Sequence, residues 1–334
     1  MAANHPTTVR VGILVFPGCV RSAAVVPQDV FELANRVQMA RPLQERVVFE
    51  TLWVSAGPGR SVDSQGLRFA TAASTIARLD ALIVPGVGHA DAESLSSVLT
   101  ALAPEQALLR KAARNGLHLL AGCSATCLVA QAGLLDGRTA TTSWWLASFC
   151  RNHYPLVSLQ AEEILLQDGQ FVTAAGLTSY FDLALWLVGQ HAGADLRQLV
   201  ARMLLLEERS IGQTPYAPAA TITAQGPVVM ERAQRWLSKH VDKSWTVAAL
   251  AKHCHTSERT LLRRFQEVLG QSPVKVMQQL RVDRAKRLLE STLISLEDVA
   301  ARCGYQDVAT LQKVFKKLAG LSLGEYRVRF GTRR

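Results

Sequence analysis

The chain has 334 residues, 49% of them hydrophobic and 19% charged, enough apolar material for two globular domains and too much for a disordered chain. No apolar run reaches the roughly 18 residues that a membrane span requires, and the polar stretch Met1–Thr8 does not read as a signal peptide. The formal net charge of +10 is confined to one part: residues 1–210 hold 16 Lys+Arg against 17 Asp+Glu, whereas residues 211–334 hold 21 against 10. A basic field concentrated in this way is the footprint of a polyanion partner. The six cysteines show no metal-ligand spacing, so reduced thiols are expected, with no metal and no other cofactor.

The first 200 residues or so alternate strand and helix signals. Val9–Phe16 reads as a buried strand that stops at Pro17-Gly18. Gln28–Met39 carries Val30, Phe31, Leu33, Ala34 and Val37 at helical spacing. Val47–Ser55, Ala81–Gly86 and Leu117–Cys123 read as further strands, with helices over Ala107–Asn115 and Ser124–Ala132. Thr139–Ser143, Ile164–Gln167 and Gln170–Ala174 add short strands, and Tyr180–Ala192 and Ala194–Leu206 close the region as helices. Such alternation predicts an α/β domain, doubly wound around a mostly parallel sheet.

Ligands of open α/β sheets bind at the carboxyl ends of the strands. Two ends are marked here, Pro85-Gly-Val-Gly88 and Ala121-Gly-Cys-Ser-Ala125. Cys123 stands at a strand-turn-helix corner, where a helix N-terminus favours thiolate and hence a nucleophile. The plainer reading is a small cysteine buried in a tight turn. Topology nominates Gly86, Val87, Cys123, Ser124, Ser143 and Trp144 as pocket residues. For Trp144 and Trp145, packing or a dimer contact has equal standing.

Glu207–Thr221 has two prolines and no helical period, and reads as a joint. The expected division is a domain over 8–206, a linker over 207–226 and a second domain over 227–330. Pro227–His240 is amphipathic, with Val228, Val229, Ala233, Trp236 and Leu237 inward and Pro227 in the first turn. From Trp245 to Gly320 one unit is written twice: Ala251, Cys254, Phe265 and Gly270 recur as Ala300, Cys303, Phe315 and Gly320. Each copy is a short helix, a break and a longer basic helix, which is the helix-turn-helix pattern. The copies are Val247–Cys254 with Glu258–Leu269, and Glu297–Cys303 with Asp307–Leu318, joined by a helix from Pro273 to about Leu289. Thr246 and Ser257 are placed as N-caps, and Leu261, Leu262 and Phe265 in the core. An all-α domain of seven helices is expected.

The residues left for DNA are Ser257, Arg259, Thr260, Arg263 and Arg264 in the first copy, and Asp307, Thr310, Gln312, Lys313, Lys316 and Lys317 in the second. Arginine suits bidentate contact with guanine edges, and lysine suits phosphate. Arg259 and Arg263 are therefore assigned to base edges, and Arg264, Lys313, Lys316 and Lys317 mainly to phosphate. The first copy reads and the second clamps. For any one of these side chains, a solvated surface charge is the plainer reading.

Four stretches, Val84-Pro-Gly86, Gly122-Cys-Ser-Ala125, Ala132–Trp144 and Thr173–Ala184, resemble the PfpI-type (class I glutamine amidotransferase-like) superfamily. More closely they resemble the sensor domain of GlxA-like regulators. Ser-x-Arg-x-Leu-x-Arg-x-Phe at 257–265, the Arg281–Leu289 helix and the closing Leu321–Arg327 resemble the AraC/XylS family over roughly 100 residues, and Arg209-x-x-Gly-Gln-x-x-Tyr216 fits the joint of GlxA-like chains. The resemblance implies a cytoplasmic, nucleoid-associated and dimeric transcription regulator, an activator controlled by a small metabolite. Its expected partners are promoter double-stranded DNA, RNA polymerase, a second copy of itself and an effector of the amino-acid or quaternary-amine class, with no membrane. Catalytic members of the superfamily place a histidine and an acid beside the elbow cysteine. Here Ser143 stands at the histidine position and the Cys19–Ala24 loop has no carboxylate, so no catalytic residue is expected. A cysteine-dependent hydrolase or lyase with an appended DNA-binding domain is the competing reading, and a ligand-independent dimeric DNA-binding protein the third. Two departures from the family pattern stand out: His255 where glycine is usual in the first turn, and Thr310-Leu-Gln-Lys in place of Phe-x-Arg in the second long helix.

Overall fold

The structure, a computed structural model, describes residues 5–57, 59, 61–71, 76–207, 212–218 and 228–332. The chain divides into two compact units, Met1–Gln213 and Thr214–Arg334. Much of the expected 207–226 linker, and Pro227 as a first-turn residue, lie outside the described residues, as does the side chain of Val228.

In the first unit the elements run β1 (Thr7–Leu14), α1 (Arg21–Val37), β2 (Val47–Val54), β3 (Ser61–Ser64), β4 (Leu67–Ala70), β5 (Ala81–Val84), α2 (Ala92–Ala101), α3 (Ala103–Arg114) and β6 (His118–Gly122). They continue as α4 (Ser124–Gln131), β7 (Thr139–Ala140), α5 (Ala147–His153), β8 (Ser158–Leu159), β9 (Leu165–Asp168), β10 (Phe171–Ala174), α6 (Ser179–Ala192) and α7 (Ala194–Met203). The main sheet has the order β2-β1-β5-β6-β10-β9. All its pairings are parallel except β10 with β9. The central strands read as unbroken apolar runs because helices cover both faces, and β5 and β10 are buried at every residue. The order reverses between β1 and β5, so the switch point of the sheet lies at the carboxyl ends of these two strands, with the end of β6 next to that of β5.

Three expectations change here. The first helix starts at Arg21, seven residues before Gln28, and runs through Pro27. Proline removes one helical hydrogen bond, but Val30, Phe31 and Ala34 are fully buried beyond it and hold the helix in place. The expected strand Thr139–Ser143 pairs only over Thr139–Ala140. The residues that follow bond to other parts of the unit: Thr141 N–H donates to Thr173 Oγ1 at 2.9 Å, and the Thr141 hydroxyl to Glu163 O at 2.7 Å. Helices α2 and α5 were not anticipated, although Asp91 and Ser94 form a reciprocal capping box at the start of α2.

The second unit is helical: α8 (Val228–Lys239), α9 (Val247–His253), α10 (Glu258–Leu269), α11 (Pro273–Ser291), α12 (Leu296–Arg302), α13 (Val308–Ala319) and α14 (Leu323–Phe330). Short polar residues start the helices. Thr246, Ser257, Ser272, Ser295, Asp307 and Ser322 each accept the backbone N–H three residues on, at 2.7 to 3.3 Å. Each cap contributes about 1 kcal/mol. Gly270 and Gly320 end α10 and α13 in the left-handed conformation. Leu261 and Phe265 are fully buried, as are their counterparts Leu311 and Phe315. Leu262 is not in the core as expected, being 42% exposed. Successive helical residues differ by about 100°, so Leu261 and Leu262 cannot share one inward stripe.

Candidate functional site

Two sites follow from this frame, a pair of basic helices in the second unit and an elbow in the first. Helices α9–α10 and α12–α13 are structural copies. His255 N–H reaches Lys252 O and Thr256 N–H reaches Ala251 O; Gly304 N–H reaches Ala301 O and Tyr305 N–H reaches Ala300 O. Both turns pass through positive φ, 52° at His255 and 74° at Gly304. The first copy therefore holds a histidine in a conformation that costs an L residue about 1–2 kcal/mol.

On α10, Arg259, Arg263 and Arg264 are exposed. Arg263 and Arg264 both reach Glu267, at 3.6 and 3.4 Å. Such exposed pairs are weak and yield readily to phosphate or base partners. Ser257 is spent as the N-cap, and its hydroxyl also bonds the Thr260 hydroxyl at 2.9 Å. On α13, Thr310, Lys313, Lys316 and Lys317 are exposed. Asp307 caps the helix through the Thr310 N–H and hydroxyl, at 2.7 and 2.9 Å. These bonds hold its carboxyl below the usual range, so it stays anionic. Gln312 is half-buried, and its Oε1 accepts the N–H of Leu323 at 3.2 Å. Ser257, Asp307 and Gln312 thus shape the helix ends, while the cations form the outward stripes.

The elbow lies where β6 meets α4. Cys123 has φ 57° and ψ −127°, a strained corner for a non-glycine residue. Its N–H donates to Ala174 O at 2.9 Å, and its carbonyl accepts the Thr142 hydroxyl at 2.7 Å. Beneath it the fully buried Tyr180 hydroxyl donates to Val84 O at 2.8 Å and lies 3.3 Å from the Gly122 N–H donor, joining the ends of β5 and β6. A Cβ at Gly122 would come within 2.9 Å of the Tyr180 ring, which explains the glycine before the cysteine. Ser124 Oγ is buried between the N–H and carbonyl of Val87, at 2.8 and 3.0 Å. A Cβ at Gly86 would meet this Oγ at 3.3 Å. Ser143 Oγ donates to Ala175 O at 2.9 Å. Trp144 is half-buried and packs edge-on against the exposed Trp145, 5.4 Å between ring centroids. Val87 and Ser124 are thus hydrogen-bonded to each other beside Cys123, Gly86 lies against the Ser124 hydroxyl, and Ser143 and Trp144 follow Thr142, whose hydroxyl holds the Cys123 carbonyl.

The setting of the thiol opposes the expected thiolate. Burial pushes the Cys123 thiol above its usual range, against smaller opposing effects of Ser143 and Ser124. The two histidines nearest to it in sequence, His118 and His153, are both engaged elsewhere. His118 starts β6 at the far end of the strand, about 16 Å away. It packs against Trp186. His153 stacks on Phe149 at 4.0 Å, with Nδ1 on the Phe149 carbonyl. One turn into α4, the buried Cys127 thiol lies 3.1 Å from that of Cys150, which together with burial raises its pKa. We expect iodoacetamide labelling of Cys123, followed on its own peptide, to keep accelerating above about pH 8.5. A plateau below pH 8 would restore a thiolate nucleophile.

One residue escaped sequence reasoning. Gln213 is 5% exposed. Its Nε2 donates to Thr142 O, Ala161 O and Glu163 O at 2.7, 2.9 and 3.0 Å. Its Oε1 accepts the Trp144 N–H at 2.9 Å, and its own N–H donates to Glu162 O at 2.7 Å. The preceding Gly212 passes so close to Glu162 O that a Cβ would lie 2.1 Å away. The Gly-Gln pair inside the 209–216 motif was the available signal. In the second unit, the buried Lys286 Nζ donates to Pro215 O and Ala217 O at 3.2 and 2.5 Å.

Both units match known families. Residues 10–190 match the DJ-1/PfpI family and residues 250–329 a helix-turn-helix domain. The chain is 30% identical over 271 residues to the HTH-type transcriptional regulator CdhR of Pseudomonas aeruginosa, covering 79% of this chain and 75% of that one. It is 26% identical over 214 residues to the HTH-type transcriptional regulator GbdR of the same species, covering 64% and 58%. The HTH-type transcriptional regulator GlxA of Rhizobium meliloti is 25% identical over 232 residues, covering 67% and 69%. A crystal structure of an AraC family transcriptional regulator from Pseudomonas putida aligns with a TM-score of 0.45 at 21% identity, over 59% of this chain and 99% of that chain. With a DJ-1/PfpI match over more than half its length and a helix-turn-helix match behind it, the chain belongs to the GlxA-like transcriptional regulators, which join a DJ-1/PfpI domain to an AraC-type DNA-binding domain.

Proposed function

We propose that this protein is a sequence-specific activator that reads promoter DNA through α10 and α13 and answers to a small metabolite held by its first unit. The observation that carries this reading is the duplicated helix-turn-helix, each long helix capped at both ends and carrying an outward stripe of cations. Arg259 and Arg263 are four residues apart on one face of α10 and are assigned to base edges. Arg264, Lys313, Lys316 and Lys317 are assigned to phosphates. The working division is a sensor over 8–206, a joint over 207–226 and a reader over 227–330, with Gln213 counted with the sensor. The protein acts in the cytoplasm, on the nucleoid, as a homodimer that recruits RNA polymerase.

The effector site is placed at the elbow rim, among Gly86, Val87, Cys123, Ser124, Ser143 and Trp144. The hydroxyls of Ser124 and Ser143 are committed to backbone groups, which leaves the thiol and the indole faces to meet a ligand. The Trp144–Trp145 pair supports a quaternary-amine or amino-acid effector, because indole faces attract such cations. The elbow is assigned to binding rather than catalysis: burial favours the protonated thiol, and among the described residues His118 and His153 are engaged elsewhere. The Cys123→Ser protein is expected to keep a response to effector, at a shifted effector affinity, because no thiol chemistry is required.

The test is an arginine truncation. Arg263→Ala should cost about 1–3 kcal/mol on the cognate site and little on random duplex. Equal losses on both would remove α10 from base reading.

A further inference from the structure

The reader carries a second basic surface that neither long helix explains. Arg232, Arg235 and Lys239 of α8 line one wall of an open cleft of about 900 Å³. Lys252 and His253 of α9, and His255 of the turn, line the other. The lining contains no carboxylate. Among the described residues, none of these four Arg and Lys side chains stands in an ion pair, in contrast to Arg263 and Arg264 on Glu267. The floor is stiff: Trp236 stacks on His240 at 3.9 Å and 15°, and His240 Nδ1 sits 2.8 Å from Trp236 O. A net charge of several units kept without partners on a rigid floor is unfavourable in the free protein and points to an anion.

The array points to a polyanion. Arg232, Arg235 and Lys239 lie on one face of α8 and span about 10 Å of its axis. A DNA strand winds as it advances ~3.4 Å along the duplex axis per phosphate, so a row of this length can follow two or more neighbouring phosphates. Cations on both walls suit a polyanion, whose successive charges can meet several of them at once. Its other wall ends at His255, two residues before Ser257, the N-cap of α10. In a helix-turn-helix the helix before the reading helix crosses the DNA backbone. We propose that this cleft is a further DNA-backbone site, holding phosphates that flank the half-site read by α10. This rests on α10 being the reading helix.

The test uses the full chain and a random-sequence duplex of roughly 30 bp, with anisotropy titrations over about 50–200 mM KCl. For the R232Q/R235Q/K239Q variant, the slope of log Kobs against log[KCl] is expected to fall in magnitude by about 2–3, at ~0.9 per phosphate lost. Arg235 is exposed, so R235Q alone keeps the fold and should lower it by about 1. A slope unchanged in R235Q and in the folded triple variant overturns the proposal. An unchanged slope with lost promoter transcription also overturns it, and assigns the cleft to polymerase. The K313Q/K316Q/K317Q variant separates the two levels of inference. If the parent protein binds duplex and only the lysine variant changes the slope, the cleft proposal alone fails. If the parent protein binds no duplex, the DNA-reading function fails with it.

Discussion

Replacing Gly304 by alanine is expected to destabilise the reader by about 3–5 kcal/mol, a large part of a typical domain's stability. Gly304 has φ 74°, where an L side chain costs about 1–2 kcal/mol. The larger part is contact. A Cβ there would lie 2.6 Å from Arg281 Nη2 and 2.7 Å from Val241 O. Arg281, on α11, donates through Nε to Val241 O at 3.0 Å and through Nη2 to Lys243 O at 2.8 Å, and lies over the Tyr305 ring at 5.1 Å. One guanidinium thus ties the turn after α8 to the turn of the second helix-turn-helix. Displacing it forfeits two hydrogen bonds to a charged group, each worth about 1.5–3 kcal/mol. Thermal unfolding followed by far-UV circular dichroism should show a fall of about 10 °C or more. Gly270→Ala provides the calibration, since its φ is also positive but no atom lies within 4 Å of the added Cβ; it should cost only about 1–2 kcal/mol. His255→Gly should gain about 1 kcal/mol by relieving the same strain in the first turn. Equal losses in Gly304→Ala and Gly270→Ala would show that the close approach of Arg281 does not matter.

This pair of turns also shows what the sequence could convey. The repeat was legible because both copies keep a polar cap, two buried apolar residues and a closing glycine at fixed offsets, and local hydrogen bonds require these. The strain at His255 was legible from its register against Gly304. The fit of Arg281 over Gly304 was not, because the two are distant in sequence and meet only after α11 packs. Leu262 was misplaced for a related reason: two adjacent leucines look alike in composition, and only the helical angle decides which is buried.

At the elbow, the corner was legible and its chemistry was not. Gly122-Cys123-Ser124 signals a sharp strand-to-helix turn, and the strand ends it joins follow from the alternation of elements. The pKa of Cys123 depends on how deeply the thiol is buried and on which hydroxyls face it. Ser143, twenty residues on, and Tyr180, still further, arrive only through the fold. Helix α1 starts earlier than the apolar spacing from Gln28 suggested: Pro27 sits inside it, and the turns beyond are held by burial. Gln213 was hidden because the proline-bearing stretch around it suggested a loose connection.

Gln213→Ala should lower the stability of the first unit by about 3 kcal/mol or more. The substitution strips the donor from three carbonyls and the acceptor from the Trp144 N–H, and each buried group left unpaired costs about 1–3 kcal/mol unless water reaches it. Gln213→Glu keeps the shape and sharpens the test. A carboxylate still accepts from Trp144 N–H, but it faces three carbonyl oxygens with nothing to donate. That environment favours the protonated acid and raises its folded pKa above the unfolded value. The stability of this variant should therefore be greatest below the unfolded pKa and decline as pH rises through the folded one, so that its deficit against the parent protein is smaller at pH 4.5 than at pH 7. A deficit independent of pH would mean that the side chain does not make these bonds. The functional consequence follows from the chain itself. Gln213 grips the segment that leads from Thr142 into Trp144, beside the proposed effector site, and the next residue, Thr214, opens the second unit. A ligand that moves Trp144 therefore acts on the last anchored residue before the reader. Gln213→Ala is expected to retain DNA affinity while losing the response of a promoter reporter to effector; an undiminished response in a folded variant would place the coupling elsewhere.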